Sequence, residues 1–586
     1  MNDLSVKQEL IEVARGQRPA HVLIKNGRVI NVYSGELLPA NVALYKDRIA
    51  YVGSREDFIG EETEVIDAEG YYVSPGYIEP HAHPWVLYNP VSLISKVLPL
   101  GTTTIVNDNL FFYLHMGTDG FKKMVYDLEE LPGNLLWLVR IVSQADFPGE
   151  REWFATERVK ELLQLDQVVG TAEVTRWPLL YQGDPFALEP VRVAKEHGKI
   201  SDGHTAGCSY DKLNAIVASG IDACHEAITA QEVLDRLRLG MWATLRNSSL
   251  RPDLPEIIKV ITEEKVDTRR ILLTTDGPHP AFIEEEGCVD GLLRKAVALG
   301  LPPIEALQMV TINPATFFHL DHELGGIAPG RRADVLLLPD LVQFRPHVVI
   351  SGGKVVAKDG VLEAPLPKIN WDKYLVRKPF ELSKEILLDP SLYRFPHTGG
   401  KAPVIHFKIA VITSKKEMDL PSENGYADLS HHSQLVYAAL IDRKGQWVSR
   451  GILENFATNL EGLATTYNTT TELLVIGRNP EAMAQAAGRV YDMGGGICVV
   501  EGGKPILEIP LPLTGMMTTS ADFATAVDYQ NQFLKVMKER GYPFHDILYT
   551  LLFLTCDFLP GLRLVPHGLY DVKTDQIVRP AEQLGE

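Results

Sequence analysis

Two histidines one residue apart, His81 and His83 in the stretch PGYIEPHAHP (Pro75–Pro84), close an apolar run. If that run is a strand, alternation of its side chains turns both imidazoles to one face, within reach of one cation. Four more metal-binding groups stand at the ends of later apolar runs. Glu173 ends VVGTAEV, His204 ends ISDGH, His225 ends IDACH and Asp276 ends ILLTTD. Imidazole and carboxylate together suit Zn2+, Mn2+ or Fe2+, and a carboxylate such as Glu173 can bridge two ions. Singly, each has a plainer reading: Glu173 a surface carboxylate, His204 a loop polar group, Asp276 a helix N-cap before Gly277-Pro278. Jointly they describe a metal centre, because all six fall at the same kind of place along the chain.

Such a set needs a scaffold that gathers strand ends at one mouth. From Tyr72 to about His322, short apolar strands (TTTIVN, LLWLVRIV, MWATLR) alternate with helical runs such as GFKKMVYDLEEL and TAQEVLDRLRLG. This is the pattern of an α/β protein with a (β/α)8 TIM barrel, whose catalytic groups lie at the C-terminal ends of its strands. No GxGxxG follows the first strand and no GxxxxGK[ST] occurs, so nucleotide-binding folds lose support. Residues 22–73 read as short strands, with a hairpin turn expected at Asn26-Gly27 and another at Lys46-Asp47. Strand character returns at Leu324, and the two pieces together suggest a small flanking β-sandwich. The expected organisation is an N-terminal helix and first part of the sandwich over 1–74, the barrel over 75–323 and the second part of the sandwich over 324–365. A linker marked by Pro367 and Pro379 follows over 366–399, then a C-terminal α+β domain over 400–586.

The chain has 586 residues, with 57 Lys+Arg against 76 Asp+Glu, a formal charge of −19. That balance offers no basic stripe for a nucleic-acid polymer and suits a small neutral or cationic substrate. Five cysteines without a CxxC pair make no disulfide framework. The N-terminal stretch lacks the apolar core of a signal peptide, and the most apolar run, Ile547 to Leu559, is interrupted by Asp557 and is too short to span a bilayer. A cytoplasmic protein without a membrane partner is expected, and a homodimer is the default for a large enzyme of this kind.

The order HxH, strand-end Glu, His, His, Asp resembles the amidohydrolase superfamily. Within it the chain is similar to adenine deaminases over nearly its whole length. The matching stretches are PGYIEPHAH, GTTTIV, DGHTAGCSYDKLNAIVASGI, CHEAITAQEVLDRLRLGMWATLR, TTDGPHP and ALQMVTINPATFFHLDHELGGIAPGRRADVLLL. GGGICVVEGGKPILEIPLPLTGMM and LPGLRLVPHGLYDV continue the match in the C-terminal part. The resemblance implies a binuclear divalent metal site (Mn2+ or Fe2+, with Zn2+ possible). In it His81 and His83 bind the deeper ion, Glu173 bridges, and His204 and His225 hold the second ion. It also implies that Asp276 binds the first ion and takes the proton of the metal-activated water that attacks C6 of a 6-aminopurine base in purine salvage. Glu226 is a candidate donor of a proton to the ring, or else an orienter of His225. Arg246 is a candidate substrate anchor, or else a salt bridge at the barrel rim.

The departures from that family bear on substrate. Adenine deaminases usually follow HxH with Ile-Glu-Ser-Ser, where this chain has Pro84-Trp85-Val86-Leu87. They usually carry Asp-Pro-His-Glu after the GTTT strand, where this chain reads Asn107-Asp108-Asn109-Leu110-Phe111-Phe112. A third family stretch, Ala-His-Asp-Ser-His-Asn, is replaced around Tyr467-Asn468-Thr469. Trp85, Asp108 and Phe111 are therefore expected at the substrate, and an apolar wall there suits an N6-alkyl group such as that of N6-methyladenine. Trp85, Phe111 and Phe112 read equally well as ordinary core. Of the competing readings, a hydantoinase- or dihydroorotase-type ring opener needs a lysine where Glu173 stands. A non-catalytic purine-binding descendant would have lost ligands that are all present here. A His/Cys/Cys nucleic-acid deaminase needs a PCxxC that does not occur.

Overall fold

The computed structural model describes residues 4–584; the first three and last two residues of the expected terminal units lie outside it. Eight strands form one parallel sheet: β1 (Tyr77–Ala82), β2 (Thr102–Asp108), β3 (Asn134–Val139), β4 (Val168–Val174), β5 (Ile200–Gly203), β6 (Ala223–Cys224), β7 (Trp242–Arg246) and β8 (Ile271–Thr274). β1, β2, β4, β5, β6 and β8 are buried along their whole length, as strands covered on both faces must be. Helices such as Leu110–Asp127, Pro185–Glu196 and Ala230–Arg238 cover the outside. The last is started by Thr229, whose hydroxyl accepts from Glu232 N.

The lower barrel is packed with Ile78, Val106, Leu136, Leu138, Val169, Ile200 and Leu272, together with Phe317, Phe318 and Leu324. Apolar packing thus fills the N-terminal end and leaves the C-terminal end for polar groups. Among the described residues no ladder joins β1 to β8. Ile78 N instead donates to Val310 O (2.8 Å) and Leu273 N to Met309 O (3.3 Å). Higher up, the Glu79 carboxylate on β1 accepts from Thr275 N (3.0 Å), Thr275 Oγ1 (2.6 Å) and Thr274 Oγ1 (2.5 Å). The seam is bridged by the Glu79 carboxylate and by Thr274 Oγ1, which also donates to His81 O (3.0 Å), while the Val310 and Met309 carbonyls take the Ile78 and Leu273 amides.

Beside the barrel lies a nine-stranded mixed sheet drawn from residues 22–75 and 335–362. Tyr72–Pro75 pairs with both Val22–Asn31 and Val335–Leu338, and Ile49 N donates to Arg331 O (2.9 Å), so the sheet closes around a shared apolar core. Lys46-Asp47 does turn a hairpin, between Tyr45 and Arg48. Asn26-Gly27 does not. Both residues lie inside the strand Val22–Asn31, at a bulge with Asn26 at φ 62°, and the chain reverses after Asn31. A Cβ on Gly27 would come within 2.3 Å of Val73 Cγ2, so the glycine serves close strand approach rather than a turn.

The stretch expected as a linker is packed down. Trp371 and Tyr374 are buried, Tyr374 OH donates to Asp127 Oδ2 (2.6 Å), and Glu381 N donates to Arg443 O (2.8 Å). Beyond it stands a second nine-stranded sheet with the helix Pro480–Asp492 against it, a three-stranded sheet, and the helices Phe523–Glu539 and Ile547–Leu554. Among the described residues no helix is long and apolar enough to cross a membrane.

Candidate metal centre

Each expected ligand is delivered by a strand end. His81 lies on β1 and His83 just beyond it, Glu173 near the end of β4, His204 and His225 directly after β5 and β6, and Asp276 two residues past β8. The structure brings all six together. His81 Nε2 and His83 Nε2 lie 3.5 and 3.2 Å from Asp276 Oδ1. His204 Nδ1 and His225 Nε2 lie 2.7 and 3.2 Å from Glu173 Oε2. The other oxygen of Glu173 is 3.7 Å from His83 Nε2, so this carboxylate links the two groups. In each triad the donor atoms lie within 4.8 Å of one another.

The residues fit divalent ions. His81 Nδ1 donates to Asp202 Oδ2 at 2.8 Å, which orients the ring, and Nε2 is buried with no hydrogen-bond partner. An imidazole oriented by a carboxylate through its other nitrogen is a common arrangement for a metal ligand. Five carboxylates (Asp108, Glu173, Asp202, Glu226, Asp276) crowd the cluster against two buried guanidiniums, those of Arg140 and Arg246. Burial alone would depress the imidazoles; at His81, His83 and His204 the carboxylates prevail, whereas burial and the neighbouring His81 keep His225 lowered. His83 is pushed up to about 10 beside Asp108 and Asp276, and His204 to about 9 beside Glu226 and Glu173. A field that holds extra protons also favours a cation that displaces them.

Sequence reasoning missed Arg140, Asp202 and Glu79. Arg140, directly after β3, is fully buried. It donates from Nε to Asp108 Oδ2 (2.7 Å), from Nη1 to Glu173 O (2.9 Å) and from Nη2 to Glu173 Oε1 (2.5 Å). Against the penalty of burial, Arg140 and His83 hold Asp108 down to about 2. A charged residue ending an apolar strand was the available signal for Arg140, and period two from His81 was the signal for Glu79.

Of the expected substrate residues, Trp85 is buried against His83 (ring centroids 4.8 Å), and Phe111 meets Trp85 edge-on at 4.6 Å. Phe112 turns away to pack on Trp137. Asp108 Oδ2 is 3.4 Å from His83 Nδ1. Arg246 Nη1 bridges Glu226 Oε1 and Asp276 Oδ2, the latter at 2.9 Å, and Glu226 Oε1 is 3.4 Å from His225 Nε2. Although burial raises Glu226, Arg246 and the two neighbouring histidines hold it well below the usual carboxylate range.

The backbone aims Asp276. Asp276 and Gly277 both adopt left-handed conformations (φ 51° and 60°), and Asp276 N donates to Thr274 Oγ1 (3.0 Å). A Cβ on Gly277 would stand 2.6 Å from His83 Cβ, so only glycine lets this turn close over the histidine.

Residues 72–356 match the amidohydrolase family, and residues 410–576 match the adenine deaminase C-terminal domain. A Bacillus cereus protein named "Putative adenine deaminase" is 35% identical over 98% of this chain and 96% of its own. An adenine deaminase of Moorella thermoacetica is 33% identical over 97% and 96%. A crystal structure of an adenine deaminase superposes with TM-score 0.45 at 20% identity, covering 57% of this chain and 99% of that one. With relatives matched from end to end, the chain belongs to the adenine deaminase family of the amidohydrolases, hydrolases that act on C–N bonds.

Proposed function

We propose that the protein hydrolyses the exocyclic C–N bond of a 6-aminopurine base, adenine or an N6-substituted adenine such as N6-methyladenine, giving hypoxanthine and ammonia or the alkylamine. The observation that carries this reading is the pair of ligand triads joined by Glu173 in a chain of the adenine deaminase family.

His81, His83 and Asp276 would hold one ion and Glu173, His204 and His225 a second, of Mn2+, Fe2+ or Zn2+. A divalent ion there supplies Lewis acidity, lowering the pKa of water toward neutrality. Asp276 takes the proton of the attacking water at Oδ1, the oxygen facing His81 and His83, while Arg246 holds Oδ2. The same carboxyl then returns that proton to the departing exocyclic nitrogen. Glu226, 3.4 Å from His225 Nε2, either gives a proton to the ring or orients His225; its pairing with Arg246, which Asp276 shares, does not separate the two roles. Trp85 and Phe111 form an apolar wall beside His83 that accommodates an N6-alkyl group better than a bare amine. A cytoplasmic homodimer completes the proposal, and sedimentation of the purified protein tests the dimer.

The test is turnover of adenine and a panel of N6-alkyl adenines by metal-replete protein, with products identified by mass. Hypoxanthine plus an alkylamine, with adenine slower, supports the whole reading. Faster turnover of adenine removes the N6 preference. Silence on the whole panel, with metal bound, overturns the 6-aminopurine assignment.

A further inference from the structure

The C-terminal part of the chain reaches the catalytic end of the barrel beyond six of its eight strands, including β2, after which His115 Nε2 lies 3.0 Å from Thr471 Oγ1. After β1, Asn89 Nδ2 donates to Thr518 O (2.9 Å) and Ser520 O (2.8 Å), and Leu87 O accepts from Thr518 N (2.8 Å). After β3, Asp146 N donates to Asp557 Oδ2 (2.7 Å), and after β4 Arg176 pairs with the same oxygen at 3.3 Å. After β5, the His204 ring meets the Phe558 ring edge-on at 5.4 Å. After β8, Ala281 N donates to Gln530 Oε1 (2.8 Å), and Tyr549 OH donates to Gly277 O.

The last contact differs from the others in where it acts. Gly277 follows Asp276 directly, and both residues are in the left-handed region. A non-glycine residue stays there when its surroundings over-determine it. Thr274 holds the Asp276 amide from below, Tyr88 OH donates to Pro278 O at 2.8 Å, and Tyr549 takes the carbonyl between them. Tyr549 is itself fixed: it is buried on the helix Ile547–Leu554, begun by Asp546, whose Oδ1 accepts from Tyr549 N (2.9 Å), and its ring stacks on Phe553 at 5.5 Å. Phe553 in turn meets Phe558, the ring over His204. One helix and the turn after it therefore touch both ligand groups.

We propose that Tyr549 is a positioning residue for Asp276: by clamping the Gly277 carbonyl from the C-terminal unit, it fixes the turn that aims the Asp276 carboxylate at His81 and His83. The C-terminal unit is thereby a working part of the metal centre rather than a separate module. For its turnover readout this rests on the deaminase reading; its metal readout does not.

The experiment compares full-length wild type with Y549F, which keeps the ring and removes the donor, and with Q530A, which breaks a bond across the same boundary away from the turn. Zn2+ affinity is measured by competition with a chromogenic chelator, and kcat and KM with the best 6-aminopurine of the panel. Loss of an outer partner of a metal ligand typically costs about 10–100-fold in affinity or activity. Y549F is expected to lose that much in Zn2+ affinity and in kcat with KM little changed, and Q530A to change neither. Y88F, which releases the neighbouring Pro278 carbonyl from the barrel side, is expected to move the same two quantities and replaces Y549F should that variant not fold. Unchanged Zn2+ affinity and kcat in Y549F overturn the proposal, as does a loss in Q530A equal to that in Y549F. If wild type turns over no 6-aminopurine, the deaminase reading fails, and Zn2+ affinity alone decides the role of Tyr549.

Discussion

The site is built from two regions of opposite character. On the barrel side is a ring of charge, in which four imidazoles, five carboxylates and two guanidiniums are joined by contacts mostly under 4 Å. Around it is an aromatic collar of Trp85, Phe111, Tyr549 and Phe558, which touches the ring of charge through ring edges and backbone carbonyls. Buried charges are tolerated only when paired, so each member of the ring depends on several others. The collar is held by packing and shape, which tolerate change more gradually. Damage to the ring should therefore abolish chemistry or folding, whereas damage to the collar should alter selection and aim.

The largest effect sharpens the ring side of that contrast. D276N keeps the shape of the turn but removes the proposed base, and kcat should fall by roughly 10²- to 10⁴-fold, measured by hypoxanthine release with metal content checked in parallel. R140M leaves Asp108 and Glu173 buried without their partner, and should cost about 3–5 kcal/mol in chemical denaturation. An R140M protein as stable as wild type would break the claim that the ring is mutually dependent. Stripping the metal should come next in size. A ligand present at 100 to 1,000 times its Kd stabilises by about 2.7 to 4.1 kcal/mol, so chelation should lower Tm reversibly.

The stripped protein also carries a pH signature. His83 and His204 have folded-state values raised to about 10 and about 9. The stability they contribute is fully present below their unfolded value of about 6.5 and is lost as pH rises through 9 to 10. Tm of metal-free protein should therefore decline across that window. Metal-loaded protein, in which these protons have been displaced, should decline less. The smallest effect belongs to the collar: W85A should shift the ratio of kcat/KM between N6-methyladenine and adenine by about 1–3 kcal/mol while leaving metal content unchanged. Loss of metal from W85A would erase the distinction between the two regions.

The ring of charge was far more legible in sequence than the collar. His81 and His83 sit at strand period, and Glu173, His204, His225 and Asp276 each end an apolar run, so barrel alternation alone gathers them. Arg140 and Asp202 are equally strand-terminal, but a lone Arg or Asp at a strand end is common, and neither announces the partner it meets across the mouth. Tyr549 stands 272 residues from Gly277, and no local pattern encodes a contact that depends on how two separately built units dock. Asn26-Gly27 misled because the same left-handed geometry serves turns and bulges. The proline-rich stretch before residue 400 misled because proline signals the absence of regular structure, not the absence of packing.

The barrel seam has a mechanical consequence. A ladder of backbone bonds between β1 and β8 would yield all at once or not at all. The Glu79 carboxylate, gripping two threonines, is instead a joint whose bonds can lengthen one at a time. It sits between the strand that brings His81 and His83 and the strand that brings Asp276, so the gap between those side chains is spanned by side-chain hydrogen bonds where the other strand pairs have a backbone ladder. In the proposed metal site, cations of somewhat different radius would be gripped by the same three residues at the expense of the joint, while the rest of the barrel keeps its shape.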